Sequence, residues 1–391
     1  MRFKNFILAV IIGLVGSCSS VLALDILDRN DFFTPSVRFR TEYDDNIYTT
    51  EDDETASWKF IVEPKIELKF DFPQDVVSLD YKFGYRYYTH SPHGKDHEFD
   101  HNANFNWSHE FDPRCTLFLK NTFVYDQEPE AVDNNVVLQR EGNYYYNRGS
   151  VGLAYNMTEM FVIRPRYYNE YLHYVDDFYE DQYDRFTNAV GADIDYLMNP
   201  TTSPYAGYLL LRTDWKENHD RDYWSHRVYG GVKHRFSKMF YIDGKVGYEY
   251  RDFKGYGNFD SPFANISLTT TISPMTNFTV GYFIEIDNPA TGDYKYQQRQ
   301  KAYVHAEHKF TRRLAVFARG SYDHGRYNRS SRIEAAARDG KQETWEAAVG
   351  LSYEFKDYLF AEAGYNYIDV DTDVSTPYDR NRVYMGVNLI F

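Results

Sequence analysis

Cysteine is nearly absent from this sequence, which has two such residues, Cys18 and Cys115, among 391. Cys18 lies in an N-terminal segment that we expect to be removed, so a single thiol would remain and no internal disulfide could form. Long apolar runs are missing as well. Beyond that N-terminal segment, no stretch approaches the roughly 20 apolar residues of a membrane-spanning helix.

A surplus of basic residues is also lacking. The chain has 43 Lys and Arg against 58 Asp and Glu, which gives a formal net charge of −15. Because proteins that bind nucleic acid carry a basic patch or stripe, this balance argues against nucleic acid as a partner. No spacing of residues is diagnostic of catalysis, a metal site or a cofactor, so the sequence predicts neither an enzyme nor a cofactor-binding protein.

The N-terminal segment has the features of a secretory signal peptide. Arg2 and Lys4 precede an apolar stretch over residues 6–15, and Val21-Leu22-Ala23 fits a cleavage site. We therefore expect a signal peptide over residues 1–23 and a short periplasmic lead-in over residues 24–35. A competing interpretation is a lipoprotein signal in which Cys18 is acylated.

Aromatic residues are abundant, with 38 Tyr and 29 Phe, and they recur in alternating segments. Over residues 58–72, mostly apolar side chains occupy one face of a predicted strand, and Lys, Glu and Asp dominate the other. Such segments run for about 10 to 15 residues, whereas strands of soluble proteins average five or six. Long alternating strands with many aromatic residues are typical of transmembrane β-barrels.

Short and long connections alternate along the chain. Eight turns of a few residues, such as 72–75 and 112–114, separate nine longer polar loops. This arrangement predicts an all-β fold, a transmembrane antiparallel β-barrel of about 18 strands over residues 36–391, with 16 strands as the alternative. The short turns would face the periplasm and the long loops the exterior. Pro64 and Pro165 fall within strands, where we expect local bulges.

The segment over residues 381–391 is a predicted strand with one apolar face. Its apolar members are Val383, Met385, Val387, Leu389 and Phe391. A strand that ends on an aromatic residue resembles the C-terminal signature of bacterial outer-membrane barrels, which their assembly machinery recognises. The resemblance implies an assembly signal that comprises Tyr384, Leu389 and Phe391.

Charged residues occupy the strand faces opposite the apolar ones. Because buried charges must be paired or hydrated, these faces would line a wet lumen. The predicted pore-lining residues are Lys65, Glu67, Lys82, Arg86, Arg164, Arg166, Arg212, Arg227, Lys233, Arg235, Lys245, Glu249, Arg251, Glu285 and Lys301. A barrel of about 18 strands can hold an aqueous channel, so we expect passive diffusion of small hydrophilic solutes or saccharides. The alternative is that the charges pair across the lumen and close it.

Three loop features each admit two interpretations. Acidic clusters at residues 44–54 and 176–184 could bind divalent cations that bridge lipopolysaccharide, although a solvated surface fits them better. His90, His93, His97 and His101 lack a tight zinc spacing and are interpreted as a polar loop tip. Residues 331–340 have the pattern of a capped helix that would either constrict the pore or cover its mouth.

The signal peptide, the segment Ser36–Tyr48 with its Glu42–Tyr48 portion, the long aromatic strands and Phe391 together resemble the β-barrel porin type 2 family of bacterial outer-membrane proteins. The resemblance implies an integral outer-membrane protein of a Gram-negative bacterium. Its implied partners are membrane lipid, lipopolysaccharide and the assembly machinery. In some relatives the family suggests a link to exopolysaccharide export, so export or surface binding of polysaccharide is the alternative function.

Overall fold

The chain forms one closed antiparallel sheet of 18 strands. The structure, a computed structural model, describes residues 32–90, 95–127, 142–175, 183–217, 219–289, 294–329 and 339–391. The strands are β1 Phe33–Asp44, β2 Ser57–Asp71, β3 Asp75–Tyr88, β4 His97–Asp112, β5 Cys115–Asp126, β6 Tyr144–Asn156, β7 Phe161–Tyr174, β8 Arg185–Tyr196, β9 Thr202–Trp215, β10 Tyr223–Arg235, β11 Phe240–Phe253, β12 Gly257–Ser273, β13 Thr276–Asp287, β14 Tyr294–Lys309, β15 Leu314–Arg329, β16 Gly340–Lys356, β17 Leu359–Thr372 and β18 Tyr378–Ile390. Within the described ranges, no helix is long and apolar enough to cross a membrane.

Strand pairing follows the chain order and then returns to its start. Each strand pairs with the next, and β1 also pairs with β18 from Ser36↔Ile390 to Asp44↔Arg382. The predicted 18 strands and the closure of the last on the first are therefore confirmed. The first strand begins at Phe33, earlier than the expected residue 36, because residues 33–35 pair with β2 beyond the reach of the β18 ladder.

Burial along the strands is opposite to that in a soluble protein. In β2, Ser57, Lys59 and Glu63 are between 1% and 5% exposed, whereas Trp58 and Phe60 are 46% and 45% exposed. Side chains alternate between the two faces of a strand, so the polar set points into the barrel and the apolar set points outward. The barrel therefore has a polar interior and an apolar exterior.

The two ends of the barrel differ. At one end, which we call the short-turn end, the connections are residues 72–74, 113–114, 157–160, 197–201, 236–239, 274–275, 310–313 and 357–358. The other end, the long-loop end, carries the remaining connections. An outward apolar side chain that is 52% to 65% exposed lies where each even-numbered strand reaches the short-turn end: Phe72, Phe111, Met157, Met198, Phe236, Ile272, Phe310, Phe355 and Phe391. These residues form an apolar rim at that end.

Hydroxyl side chains shape several of the short turns. Thr158, Ser237 and Thr311 each accept hydrogen bonds from the backbone amides two and three residues later. Such local bonds satisfy amides that lie beyond the strand ladder. They help to set the residue at which each hairpin reverses.

The expectation that Pro64 and Pro165 form bulges is wrong. The β2–β3 register is the same on both sides of Pro64, from Val62↔Tyr85 to Lys65↔Lys82. The β6–β7 register likewise continues unchanged across Pro165. Proline removes a single donor, so pairing is interrupted towards one neighbour, while the ladder towards the other neighbour stays intact, as at Val37↔Pro64.

Aromatic rings cover glycines on the inner face. A Cβ atom added at Gly364 in β17 would lie 2.5 Å from the ring of Tyr384 in β18, and one at Gly281 would lie 2.3 Å from the ring of Tyr303. Only glycine allows a ring to lie this close to the neighbouring strand. At Gly230, by contrast, the added Cβ would meet one carbonyl oxygen at 3.8 Å.

Candidate functional site

Most of the predicted pore-lining residues lie on the inner face of the barrel. Alternation along the strands places there Lys65, Glu67, Lys82, Arg86, Arg164, Arg166, Arg227, Lys233, Arg235, Lys245, Glu249, Arg251, Glu285 and Lys301. The same face carries acids that the prediction omitted, including Asp44, Glu63, Asp100, Asp126 and Asp193. Each of these acids is in phase with the neighbouring inner residues, so strand alternation alone could have found them.

Arg212 is the exception, and its placement in the lumen was wrong. In β9, Leu211 and Thr213 are 5% and 0% exposed and face inward, so Arg212 between them faces outward. Its Nε donates to Asp214 at 2.8 Å, and its guanidinium carbon lies 5.4 Å from the ring centre of the exposed Trp224. Near the long-loop end, a long cationic side chain on the outer face can extend its charged group into water.

A buried ion-pair network joins β1, β2 and β18 at the long-loop end of the seam. Asp44 is 0% exposed, and Arg380 Nε lies 2.9 Å from its Oδ1 and 3.0 Å from its Oδ2. Lys59 Nζ lies 3.0 Å from Asp44 and 3.3 Å from Glu42. The expectation of a solvated acidic cluster is therefore wrong for Asp44, which is enclosed by cations.

The next residues extend this contact. Asn381 donates its backbone amide and its side-chain amide to Asp45, each at 2.7 Å. The side-chain amide of Asn46 donates to the Asp379 carbonyl at 2.9 Å. Asp44, Asp45 and Asn46 thus each contact β18, through residues 379–381. The Glu42–Tyr48 segment, which carries the family resemblance, therefore adds side-chain contacts to the β1–β18 ladder that joins the two ends of the sheet.

A second network lies on the inner wall of β1 to β5. Glu63 accepts hydrogen bonds from Arg38 at 2.5 Å and from Lys82 at 2.9 Å. Arg86 donates twice to Asp126, at 2.7 and 3.1 Å. Here cations and acids alternate between neighbouring strands, so most of the charge on this wall is neutralised locally.

A third network lies on β7 to β11. Glu249, which is 0% exposed, accepts from Ser225 at 2.7 Å and from the Nε atom of Arg251 at 2.6 Å, and its other oxygen lies 2.7 Å from Arg227 Nε. Arg166 donates to Asp193 and to the hydroxyl of Tyr229. Three cations therefore converge on this wall around two carboxylates.

A cavity of about 320 Å³ opens beside this third network. Residues of β6 to β13 line it, and its charged members are the cations Arg148, Arg166, Arg185, Arg227, Lys245 and Arg251 and the acids Glu170, Glu249, Glu285 and Asp287. Six cations against four acids give the lining a positive balance. A second cavity, of about 540 Å³, lies near the short-turn end and is lined by Lys233, Arg235 and Tyr241, among others.

Residues before β8 pack against the inner wall. Tyr183 is 3% exposed and joins Tyr144 and Tyr174 in an apolar cluster. The adjacent Asp184 accepts the Tyr174 amide at 2.7 Å and lies 2.5 Å from the His173 ring. Burial raises the pKa of the Asp184 carboxyl above its usual value, despite these bonds.

Another loop contact lies before β10, in the short 3-10 helix His219–Arg221. The Arg221 side chain is 1% exposed, and its guanidinium lies 3.6 Å from the ring centre of Trp215. Burial and the neighbouring charge of Arg185 lower the pKa of Arg221 to about 10. It therefore remains charged at neutral pH, in a stacked geometry that favours a cation.

Among the described residues of the histidine-rich segment, the histidines do not form a group of metal ligands. His97 and His101 lie on the outward face of β4, where His101 bonds Tyr81 at 2.8 Å, whereas Asp100 faces inward. In the part of the chain that the structure describes, no group of three or more His, Cys, Asp or Glu is placed to hold a metal ion. His93, the signal peptide, most of the second acidic cluster and most of the predicted helix at 331–340 lie outside the described residues; Gly340, its expected stop, begins β16.

Solved structures with the same fold include proteins of Pseudomonas aeruginosa, among them the outer membrane protein OpdK. OpdK matches with a TM-score of 0.51 at 12% identity, over 92% of this chain and 99% of that chain. OpdK with vanillate gives 0.50 at 13%, over 92% and 99%, and OccK2 (OpdF) in complex with glucuronate gives 0.51 at 12%, over 92% and 98%. No curated protein matches the sequence. The profile of the family described as "Putative beta-barrel porin 2" matches residues 32–391, and the chain belongs to this family of β-barrel porins.

Proposed function

We propose that this protein is an integral outer-membrane channel for the passive diffusion of small hydrophilic solutes, saccharides among them. The observation that carries the proposal is a closed ring of 18 strands with an inner wall of charged residues and an exterior of exposed apolar residues. A closed sheet leaves no unpaired backbone edge, which is what a lipid environment requires of a β-structure. Membership of a porin family supports the same function.

The arrangement of the ion pairs favours an open lumen over a plugged one. Arg38–Glu63 joins β1 to β2, Arg86–Asp126 joins β3 to β5, and Arg227–Glu249 joins β10 to β11. These pairs lie along the wall, between strands no more than two positions apart, and do not bridge opposite walls. Pairs between neighbouring or next-neighbouring strands neutralise charge on the wall without connecting opposite sides of the lumen.

Reconstitution into a planar lipid bilayer tests the proposal. We expect stepwise increases of conductance as single barrels insert, and none from a heat-denatured sample of the same protein. The absence of steps from protein that shows heat-modifiable migration on a gel would contradict the channel. Fractionation of cell envelopes tests the location, because recovery in the soluble fraction would contradict an integral membrane protein.

A second candidate function is the export or surface binding of polysaccharide. The observation that favours it is the set of tyrosines on the inner wall, Tyr168, Tyr205 and Tyr229 among them, since aromatic rings stack on sugar faces. Deletion of the gene should then reduce the exported or capsular polysaccharide, and an unchanged amount would count against this function. Lipopolysaccharide and the outer-membrane assembly machinery are further partners that we propose for either function.

A further inference from the structure

Tyrosine hydroxyls on the outer face follow one repeated geometry. Six times among the described strands, a tyrosine of an odd-numbered strand bonds a side chain of the next even-numbered strand. That side chain lies two residues nearer the long-loop end than the backbone partner of the tyrosine; Tyr282, for example, pairs with Ala302 and bonds Gln300. The pairs are Tyr81–His101, Tyr167–Asn188, Tyr208–His226, Tyr248–Asp260, Tyr282–Gln300 and Tyr365–Asn381. These hydroxyl groups therefore all point towards the long-loop end.

The bonded side chains keep a constant distance from the apolar rim. All of them except Asp260 lie ten residues before the rim residue of the same strand, as Asn188 does before Met198. Between these two, the outward side chains of β8 are apolar or aromatic: Val190, Ala192, Ile194 and Tyr196. At about 3.3 Å per residue and a tilt of about 35–45°, ten residues span about 25 Å along the barrel axis, which is the height of the apolar band of outer-membrane barrels. The side chains bonded by the tyrosines thus mark the edge of this band at the long-loop end.

Four of these side chains keep an unbound N–H donor. In Asn188 and Gln300 the side-chain oxygen accepts the tyrosine hydroxyl at 2.7 and 3.1 Å, and the NH2 group has no hydrogen-bond partner among the residues that the structure describes. In His101 and His226, Nδ1 lies 2.8 and 2.7 Å from the hydroxyl oxygen, and a hydroxyl that donates to Nδ1 leaves the ring hydrogen on Nε2. Asn381 differs, since its NH2 group donates to Asp45. We call His101, Asn188, His226 and Gln300 the donor belt.

The chemistry of the donor belt favours an uncharged acceptor. Its N–H groups belong to amides and imidazoles on β4, β8, β10 and β14, and none belongs to Lys or Arg, which form the stronger charge-assisted bonds to phosphate. At the edge of the hydrocarbon layer, where the acyl chains join the headgroups, the uncharged acceptors of a lipid are the carbonyl oxygens of its ester or amide linkages. A donor that faced hydrocarbon without such a partner would be costly.

We propose that the donor belt binds the acyl-linkage carbonyl oxygens of the lipid that surrounds the long-loop end of the barrel. Each belt residue donates one N–H group to a carbonyl oxygen, and the tyrosine on the preceding strand fixes the orientation of that residue through its other polar atom. This inference rests on the proposed location in a membrane. It adds that the linkage chemistry of the lipid, and not the thickness of the bilayer alone, stabilises the barrel.

Bilayers of two phosphatidylcholines with the same saturated chains, one ester-linked and one ether-linked, test the proposal, because an ether linkage has no carbonyl oxygen. The purified full-length barrel is folded into vesicles of each lipid, and its unfolding in urea is followed by tryptophan fluorescence. The equilibrium constant for unfolding should be at least about tenfold larger in the ether lipid, since four hydrogen bonds are lost there. Equal constants in the two lipids, which a merely hydrated belt predicts, would overturn the proposal.

Variants separate the donor belt from other differences between the two lipids. A variant that combines His101→Phe, Asn188→Leu, His226→Phe and Gln300→Met should bring the ratio of the two constants close to one. The control Asn277→Leu removes an exposed amide from the inner face of β13 and should leave the ratio unchanged. Heat-modifiable migration shows which variants fold. Should the combined variant not fold, Asn188→Leu with Gln300→Met should lower the ratio to about threefold, and a folded variant of either kind that keeps the full ratio would overturn the proposal.

Conductance in the same two lipids separates the donor belt from the channel. Stepwise conductance together with equal unfolding constants would overturn the donor belt and leave the channel. A tenfold ratio of the constants without any conductance from the folded protein would overturn the channel and leave the donor belt.

Discussion

Arg380 and Asp44, which are 336 residues apart, form a two-pronged buried ion pair across the seam between β18 and β1. Their side chains are 5% and 0% exposed. The remaining strand contacts of the barrel join neighbours in the chain, so this pair reinforces the one long-range joint on which closure depends.

Replacing Arg380 with Met should destabilise the barrel. Asp44 would keep Lys59 but lose its bidentate partner, and removing one member of a buried pair costs about 3–5 kcal/mol. The free energy of unfolding in urea, followed by tryptophan fluorescence in detergent, measures the loss. In the control Lys65→Met, the lost partners Glu67 and Asp80 are 47% and 35% exposed, so the loss should stay below about 1 kcal/mol. Equal losses would contradict a special role for the seam.

Gly364→Ala should also lower stability, because the new Cβ atom would collide with the ring of Tyr384. Overpacking of this kind costs about 1–3 kcal/mol. The same unfolding assay applies, with Gly230→Ala as a control that should be nearly neutral, because its Cβ atom would meet one carbonyl oxygen at an ordinary contact distance of 3.8 Å. Combining Gly364→Ala with Tyr384→Ala should restore part of the loss; full additivity would exclude the collision as its cause.

Lys233→Gln should shift ion selectivity towards cations, since Lys233 lies on the inner wall and lines the cavity near the short-turn end. We expect the cation-to-anion permeability ratio to rise on the order of twofold. Reversal potentials across a bilayer with a salt gradient measure it. Arg212→Gln is the matched control on the outer face and should leave the ratio unchanged; a comparable shift in that variant would contradict the orientation of β9.

Phe391→Ser should reduce the amount of assembled barrel in cells. The Phe391 ring is 58% exposed on the apolar rim, while its amide donates to the Pro35 carbonyl at 2.9 Å and would still do so as serine. Barrels refolded in detergent should therefore differ little from wild type. Val387→Ser removes apolar surface from the same strand face and is the control. If both variants assembled equally well in cells, Phe391 would not act as an assembly signal.

Local sequence features predict most of this fold. A period of two over more than ten residues distinguishes the faces of a strand, and hydroxyl or proline residues mark the short turns. Counting these turns predicts both the number of strands and the closure of the last strand on the first. The family-like Glu42–Tyr48 segment was recognisable as a pattern, but its function as a seam contact was not, because its partners in β18 lie more than 300 residues away.

The errors have physical causes too. A charge inside a strand is normally turned away from lipid, which predicts that Arg212 faces the lumen, yet near the long-loop end the outer face also tolerates charge. Proline is costly in a ladder, which predicts a bulge at Pro64, but it removes a single donor, and the ladder towards β1 stays in register. The cavity beside Lys245 depends on the curvature that brings β6 to β13 around one space, and no single strand contains that information.

The joint between β1 and β18 also has a kinetic consequence. Until β18 is in place, β1 exposes one row of unpaired backbone groups, which is a template for aggregation. The entropy of closing a loop grows only slowly with length, by about 0.6 kcal/mol for each doubling, so the exposed edge rather than the distance is the main hazard. A chain truncated before Tyr378 lacks β18, so the edges of β1 and β17 stay unpaired. Such a chain should therefore aggregate through these two edges instead of closing into a narrower barrel.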